Sequence, residues 1–235
     1  MKLYDLNEFP NFPFKNWEDI RDIAIDVLIK HYGSDIPIPI PIEEILEFKE
    51  KIHLQVSGLG GHLLGDSDIN NRVIRINHSL LEEKMYGRLR FTFAHEYAHF
   101  ILHSPYFQGV SSFHDDAYDF YHKNCVILER QADYFAGCFL MPPILAFKKW
   151  EELTGVQLSV LDNRFEKKHN SELETLIDKT CRETGHRFSS IYYDHYKEHS
   201  PKNHRLISDL ASTFNISFES CRVNIRKMGL PLWIH

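Results

Sequence analysis

The segment from His95 to His99 reads His-Glu-Tyr-Ala-His, and it constrains this chain more than any other feature. If the segment is helical, the two histidines lie one turn apart on one face, because residues four apart differ by about 40° around the axis. Two imidazoles placed in this way can bind one zinc ion, with Glu96 beside them to take a proton from a bound water. The apolar residues between Phe91 and Leu102 surround most of the circumference, which predicts a buried central helix.

A second helix can supply the remaining parts of a metal site. Residues 127–141 have an apolar pattern that ends at Pro142. Glu129 and Asp133 share one face of it, so Glu129 can be a third ligand, and Asp133 can accept the second N–H of a ligating histidine. Because the chain has 15 histidines, the motif alone would arise by chance in roughly one such sequence in fifteen. The second helix makes coincidence a poor explanation.

Other third ligands fit less well. His103 shares a face with the histidine pair but lies about 12 Å along the helix axis from His95, too far for one tetrahedral site. Asp115 and Asp116 lie in a polar loop, residues 104–124, and remain alternatives. A longer zinc motif with a third histidine is excluded, because Leu102 and Pro105 stand at its glycine and histidine positions. Glu129 is therefore the predicted ligand.

The composition limits the classes of function. With 235 residues, of which 43% are hydrophobic, the chain can form one large domain or two small ones. A net charge of −6 argues against binding nucleic acid through the whole surface. No run reaches the about 18 apolar residues of a membrane span, and the first residues lack a secretory pattern. Four scattered cysteines without metal-binding spacing predict reduced thiols in a cytoplasmic protein.

Residues 1–143 predict an α+β metallopeptidase domain. We expect a helix over 16–31 capped by Asn16, an extended Ile-Pro segment over 36–41, and a short helix through Phe48. Three short strands should follow at 52–56, 62–64 and 73–76, with glycines at the turns. The result is a small three-stranded sheet packed on the zinc-binding helix pair. An edge strand of that sheet could bind a substrate backbone by strand addition.

Residues 144–235 predict an all-helical C-terminal region. Its last part, 205–230, has a helix-turn-helix outline, with a turn at 214–217. Basic residues on the second helix could touch phosphates, but nothing predicts base readout, so DNA binding is the less favoured role. These basic residues are Arg222, Arg226 and Lys227. The other elements that we expect in this region are helices at 144–154 and 171–184 and a charged stretch at 162–170.

In their order along the chain and in their residue sequences, these segments resemble those of the ImmA/IrrE family of metallopeptidases. The resemblance implies a gluzincin-type peptidase with one zinc ion on His95, His99 and Glu129 and with Glu96 as the catalytic residue. It also implies a protein substrate, a helix-turn-helix repressor whose cleavage derepresses phage, mobile-element or stress-response genes. Asp133 departs from the asparagine that the family often has, and the long segment 144–204 is a second departure. The segments that carry the likeness are Ile74–Asn77, Arg90–His99, Leu102-His103, Glu129–Ala136 and Leu140–Pro142.

In the mechanism that we expect, Glu96 is a general base toward water and then a general acid toward the leaving amine. The group that stabilises the oxyanion stays open among His103, Tyr97 and other tyrosines. The alternative function is a non-proteolytic regulator or toxin–antitoxin component that binds a repressor or DNA and has a structural zinc. Structural zinc sites usually have four protein ligands, whereas three candidates converge here, which favours the enzyme.

Overall fold

The computed structural model describes residues 15–60, 63–104, 124–155, 201–228 and 230. The chain divides into two compact units: Met1–Pro142 with Phe214–Ser217, and Pro143–Thr213 with Phe218–His235. The predicted helix at 171–184, the charged stretch at 162–170 and the alternative ligands Asp115 and Asp116 lie outside the described residues.

The described elements confirm the predicted α+β class. Most of them are helices, and the strands form one small sheet. In chain order they are α1 (Trp17–Tyr32), α2 (Ile42–Glu44) continued by a π turn (Ile45–Lys49), β1 (His53–Ser57), β2 (Gly65–Asp68), β3 (Val73–Asn77), two 3-10 turns (His78–Leu81 and Glu83–Met85), α3 (Tyr86–Ala98) continued by a π turn (His99–His103), α4 (Asn124–Leu140), α5 (Pro143–Thr154), α6 (Pro201–Phe214) and α7 (Phe218–Met228).

Helix α1 begins at the predicted cap. The Asn16 side-chain oxygen accepts a hydrogen bond from the Asp19 backbone N–H at 2.7 Å, which satisfies one of the free donors of the first turn. Ile20, Ala24 and Leu28 recur at four-residue spacing and are fully buried. The helix packs against α4, so it supports the helix that carries Glu129 and Asp133.

The sheet has the strand order β1-β3-β2. Strand β3 is central; it pairs in parallel with β1 and antiparallel with β2. Strands β1 and β3 lie within a residue of their predicted positions. The prediction of a strand at 62–64 was wrong, because the second strand is Gly65–Asp68 and residues 63 and 64 precede it.

Strand β2 escaped prediction because it has no apolar alternation. All four of its residues, Gly-Asp-Ser-Asp, are buried, which the polarity of the segment does not suggest. Neighbouring groups compensate for this burial: the Asp66 carboxylate accepts two hydrogen bonds from Arg75 across the strands, at 2.8 and 2.6 Å. The Asp68 carboxylate accepts from the Asn71 backbone N–H at 3.0 Å and closes the turn that leads to β3.

The turn between α6 and α7 belongs to the first unit. There the Arg90 guanidinium donates to the backbone carbonyls of Asn215, at 3.0 Å, and of Ile40. At Gly87, on the first turn of α3, an added Cβ would lie 2.7 Å from the backbone nitrogen of Ser217. The turn thus contacts the helix that carries the histidines, and a glycine is needed at this contact.

Helices α6 and α7 confirm the two helices of the predicted outline. Within the second unit, the rings of His204 and Phe218 stack at 4.6 Å, and Cys221 is a buried free thiol. The Arg222 guanidinium binds the carboxylate of Glu219 on the same helix, at 2.6 Å. Among the helices that the structure describes, we find no segment with the length and apolar character needed to cross a bilayer.

Candidate metal centre

Three side chains from α3, its π turn and α4 converge on one point. The Nε2 atoms of His95 and His99 are 3.3 Å apart. The Glu129 carboxylate lies 3.0 Å from the first nitrogen through Oε2 and 3.6 Å from the second through Oε1. Ligands of a tetrahedral zinc ion at about 2.0–2.1 Å are separated by about 3.3 Å, so these three spacings match those around one metal ion.

One atom at this point needs a partner. Oε1 of Glu129 is buried, and no group in the described part of the chain hydrogen-bonds to it. A buried carboxylate oxygen without a partner is costly, and a metal ion is one such partner. Among the described residues, His95, His99 and Glu129 form the group whose ligand atoms all lie within 4.8 Å of one another. Two imidazole nitrogens and a carboxylate oxygen are a suitable donor set for a divalent transition metal.

Asp133 lies one helical turn beyond Glu129 and contacts the other side of the same imidazole. Its Oδ1 is 3.0 Å from Nδ1 of His95, so it can accept the Nδ1–H and leave Nε2 for a metal. Burial alone would lower the pKa of His95, but its hydrogen bonds to Asp133 and Glu129 and the charge of Glu96 raise that pKa to about 10. The surroundings therefore favour a cation at this position: a proton on the ring or a metal beside it.

Glu96 points toward the sheet side of α3 and is 4% exposed. The Ser67 hydroxyl on β2 lies 2.6 Å from Glu96 Oε2 and 3.1 Å from the Glu96 backbone carbonyl. Burial raises the pKa of Glu96 to about 7, although the charge of His95 and the Ser67 hydrogen bond act in the opposite direction. A carboxyl group with a pKa near neutrality can both take and return a proton.

Gly65 leaves room for this carboxylate. An added Cβ would lie 2.9 Å from Glu96 Oε1 and 2.7 Å from Thr92 Cγ2. Gly65 is the first residue of β2, and its missing side chain allows the sheet to approach α3 closely.

His103 stands behind His99 and does not face the metal site. Its Nδ1 lies 2.9 Å from Nδ1 of His99, and its Nε2 lies 3.1 Å from Oε1 of Gln131. Burial lowers the pKa of His103 to about 4, so the ring is neutral near pH 7. Because both ring nitrogens have partners, His103 is not available to stabilise an oxyanion.

Tyr97, the other named candidate for that role, is fully buried. Its ring packs edge-on against Phe135 and Phe139, with centroid separations of 6.1 and 5.7 Å. Burial raises its pKa above the usual value for a tyrosine. The residue therefore supports the contact between α3 and α4 and presents no hydroxyl at the surface.

Sequence reasoning assigned no role to Ser67 or Gln131. Ser67 was missed because its strand was misplaced and its segment looks like a polar turn. Gln131 carried a signal that could have been used: it is a polar residue in an otherwise apolar helix pattern, and it is 3% exposed in the structure. A polar side chain at a core position needs a hydrogen-bond partner. In the sequence, His103 on the preceding helix was a polar residue without an assigned partner, so the two could have been paired.

A family model matches the part of the chain that holds this site. Among solved structures, a Mycobacterium tuberculosis transcriptional regulator matches with 15% sequence identity over 87% of this chain and 49% of that chain, with a TM-score of 0.43. This chain therefore spans about half the length of that protein. No curated protein matches the chain. Residues 51–166 match the family model of the IrrE N-terminal-like domain, a peptidase family, and this range includes the histidine motif and Glu129. Residues 51–166 are thus assigned to the ImmA/IrrE family of metallopeptidases.

Proposed function

We propose that this chain is a zinc-dependent endopeptidase in which His95, His99 and Glu129 hold one zinc ion and Glu96 is the catalytic residue. The observation that carries the proposal is the convergence of two imidazole nitrogens and an unpartnered, buried carboxylate oxygen at the spacing of metal ligands. Two histidines and one glutamate, with the fourth position open, are an established ligand set of catalytic zinc.

The residues of the chain divide the chemistry between them. A zinc ion, when bound, supplies a Lewis acid that lowers the pKa of water and polarises a peptide carbonyl. Glu96 accepts a proton from the water that adds to the carbonyl carbon. It returns this proton to the amide nitrogen as the C–N bond breaks, so that a carboxylic acid and an amine are released. Ser67 holds the Glu96 carboxylate in one orientation, and Asp133 holds the His95 ring.

The substrate that we propose is a helix-turn-helix transcriptional repressor, as the family resemblance implies, cleaved in the cytoplasm to derepress the genes that it controls. DNA binding through α6 and α7 remains the less favoured role. One of its three candidate residues, Arg222, is paired with Glu219 on its own helix.

Co-expression with candidate helix-turn-helix repressors, beginning with any that is encoded at the neighbouring locus, tests this function. Intact-mass analysis should find two fragments of the repressor with the wild-type chain and only the uncut repressor with Glu96→Gln. The substitution keeps the size of the side chain and should leave the zinc content unchanged, which metal analysis of the purified variant checks. Equal cleavage by both chains would refute the role of Glu96.

A non-proteolytic regulator with a structural zinc is the second candidate. Its site would be closed by a fourth protein ligand, whereas three ligand side chains converge among the described residues. A small hydroxamate, which binds metals through two oxygens, distinguishes the two. The peptidase should bind it only when loaded with zinc, and a closed structural site should not bind it at all.

A further inference from the structure

Three buried side chains form a hydrogen-bonded row behind the metal site. The row runs from Nδ1 of His99 to Nδ1 of His103 over 2.9 Å, and from Nε2 of His103 to Oε1 of Gln131 over 3.1 Å. All three residues are at most 3% exposed. The row crosses from the π turn after α3 to α4, and π turns within helices are frequent at functional sites.

The chemistry of the three groups fixes the direction of every hydrogen bond. His99 faces His95 and Glu129 through Nε2, so a metal at that point requires a lone pair on Nε2 and a proton on Nδ1. The Nδ1–H of His99 then donates to Nδ1 of His103, which must be unprotonated. The single proton of His103 therefore lies on Nε2 and is donated to the Gln131 carbonyl oxygen, which can only accept.

We propose that Gln131, acting through His103, is a positioning residue that locks His99 in the Nδ1–H tautomer and so sets the metal affinity of the site. This inference rests on the proposed metal site, but it concerns groups that do not touch the metal. If the Gln131 oxygen is lost, Nε2 of His103 loses its acceptor. The His103 proton is then free to move to Nδ1, where it would turn His99 into an acceptor and place the proton of His99 on the metal-binding nitrogen.

The two ligating histidines have chemically different hydrogen-bond partners, and the burial of those partners explains the difference. The side chain of Asp133, which supports His95, is 53% exposed, so its charge is solvated. Gln131 lies in the core, where an ionised carboxylate would be expensive. A neutral amide behind a neutral imidazole orients His99 without a buried charge.

Metal affinity and tautomer state test the row without any measurement of activity. Gln131→Met keeps the length of the side chain and removes the acceptor, and we expect zinc to bind about 10–100-fold more weakly in a competition titration with a chromophoric chelator. Gln131→Glu restores an acceptor oxygen and should bind zinc more tightly than Gln131→Met. Gln55→Met, the same change at an exposed position on β1, should leave the dissociation constant unchanged.

Nitrogen-15 shifts of the imidazole rings in the wild-type chain provide a test that needs no variant to fold. In the zinc-loaded protein, His99 should carry its proton on Nδ1 and His103 on Nε2. A proton on Nδ1 of His103 would overturn the inference, as would zinc affinity in Gln131→Met equal to that of the wild type. Failure of the wild-type chain to bind zinc would instead refute the proposed function, so the two failures are distinct.

Discussion

At the scale of single residues, the environment of Glu96 explains how one carboxylate could act first as a general base and then as a general acid. Burial makes the charged form less favourable, whereas the neighbouring His95 and the Ser67 hydroxyl favour it. These opposing effects leave a pKa of about 7, so both protonation states are accessible near neutral pH. The Ser67 hydroxyl lies within hydrogen-bond distance of both the carboxylate and the backbone carbonyl of Glu96, so it also fixes the orientation of the side chain.

Ser67→Ala should lower kcat about tenfold and leave KM nearly unchanged, because the Glu96 carboxylate loses its fixed orientation but the substrate surface stays the same. Tenfold corresponds to about 1.4 kcal/mol in the activation barrier. Steady-state kinetics on the repressor, with zinc content measured in parallel, would check this. Ser79→Ala, at an exposed serine of the 3-10 turn after β3, serves as the control and should behave as the wild type. A tenfold rise in KM with unchanged kcat would contradict the orienting role.

The residues that sequence could predict are those whose spacing follows helix geometry. His95 and His99, and likewise Glu129 and Asp133, repeat at four residues within apolar helices, and the structure brings all four together. Ser67 could not be found in this way, because its contact joins a strand to a helix 29 residues later in the chain. Such a pairing depends on the packing of the sheet against α3, which no local pattern encodes.

At the scale of elements, helices were predictable and the polar strand was not. The α1 cap, the buried α3 and the end of α4 before the prolines follow from local residue preferences. Strand β2 instead depends on partners elsewhere: Arg75 for the charge of Asp66, and Glu96 for the hydroxyl of Ser67. The segment has a low strand propensity of its own, so its strand conformation depends on these tertiary contacts.

The contact of α3 with the turn before α7 predicts whether Gly87→Ala raises or lowers the free energy of unfolding. Alanine is favoured over glycine in a helix by about 1 kcal/mol, so Gly87→Ala would stabilise a freely exposed helix. Here the new Cβ would lie 2.7 Å from the Ser217 backbone nitrogen and 2.9 Å from the Ile216 carbonyl carbon, and backbone atoms cannot move aside cheaply. We expect a net loss of about 1–3 kcal/mol in the free energy of unfolding, measured with urea.

Gly58→Ala is the matched control, because nothing lies within 4 Å of an added Cβ at that position. It should change the free energy of unfolding by much less than Gly87→Ala. A stabilised Gly87→Ala variant would mean that the turn does not contact α3 as described.

At the scale of the whole molecule, an acid-sensitive link ties α1 to the segment before the sheet. The Glu50 carboxylate accepts hydrogen bonds from Lys30 and His31 at the end of α1, at 3.1 and 2.8 Å. Burial alone would raise the pKa of Glu50, but these two partners outweigh it and lower the pKa below its usual value. A depressed carboxyl pKa stabilises the fold above the unfolded pKa of about 4.3, and this stability is lost as the pH falls through the folded pKa.

Glu50→Gln should therefore destabilise the chain by about 1 kcal/mol at pH 7, where the Lys30 partner is largely solvated and the interaction is screened. The difference from the wild type should shrink as the pH falls below about 4.3 and approach zero once the pH has passed through the lower folded pKa, where the carboxyl group is protonated. Urea unfolding across this range would measure it. Glu47→Gln, at an exposed residue of the π turn that precedes Glu50, is the control and should leave the free energy of unfolding nearly unchanged. A constant difference for Glu50→Gln at every pH would contradict the ionic origin.

Anomalous diffraction at the zinc edge, from crystals of the zinc-loaded chain, would locate the metal ion itself. We expect one strong peak within about 2.0–2.2 Å of Nε2 of His95, Nε2 of His99 and a carboxylate oxygen of Glu129, with water as the remaining ligand. A fourth protein side chain on the ion, or a zinc peak that does not contact these three residues, would contradict a catalytic zinc site.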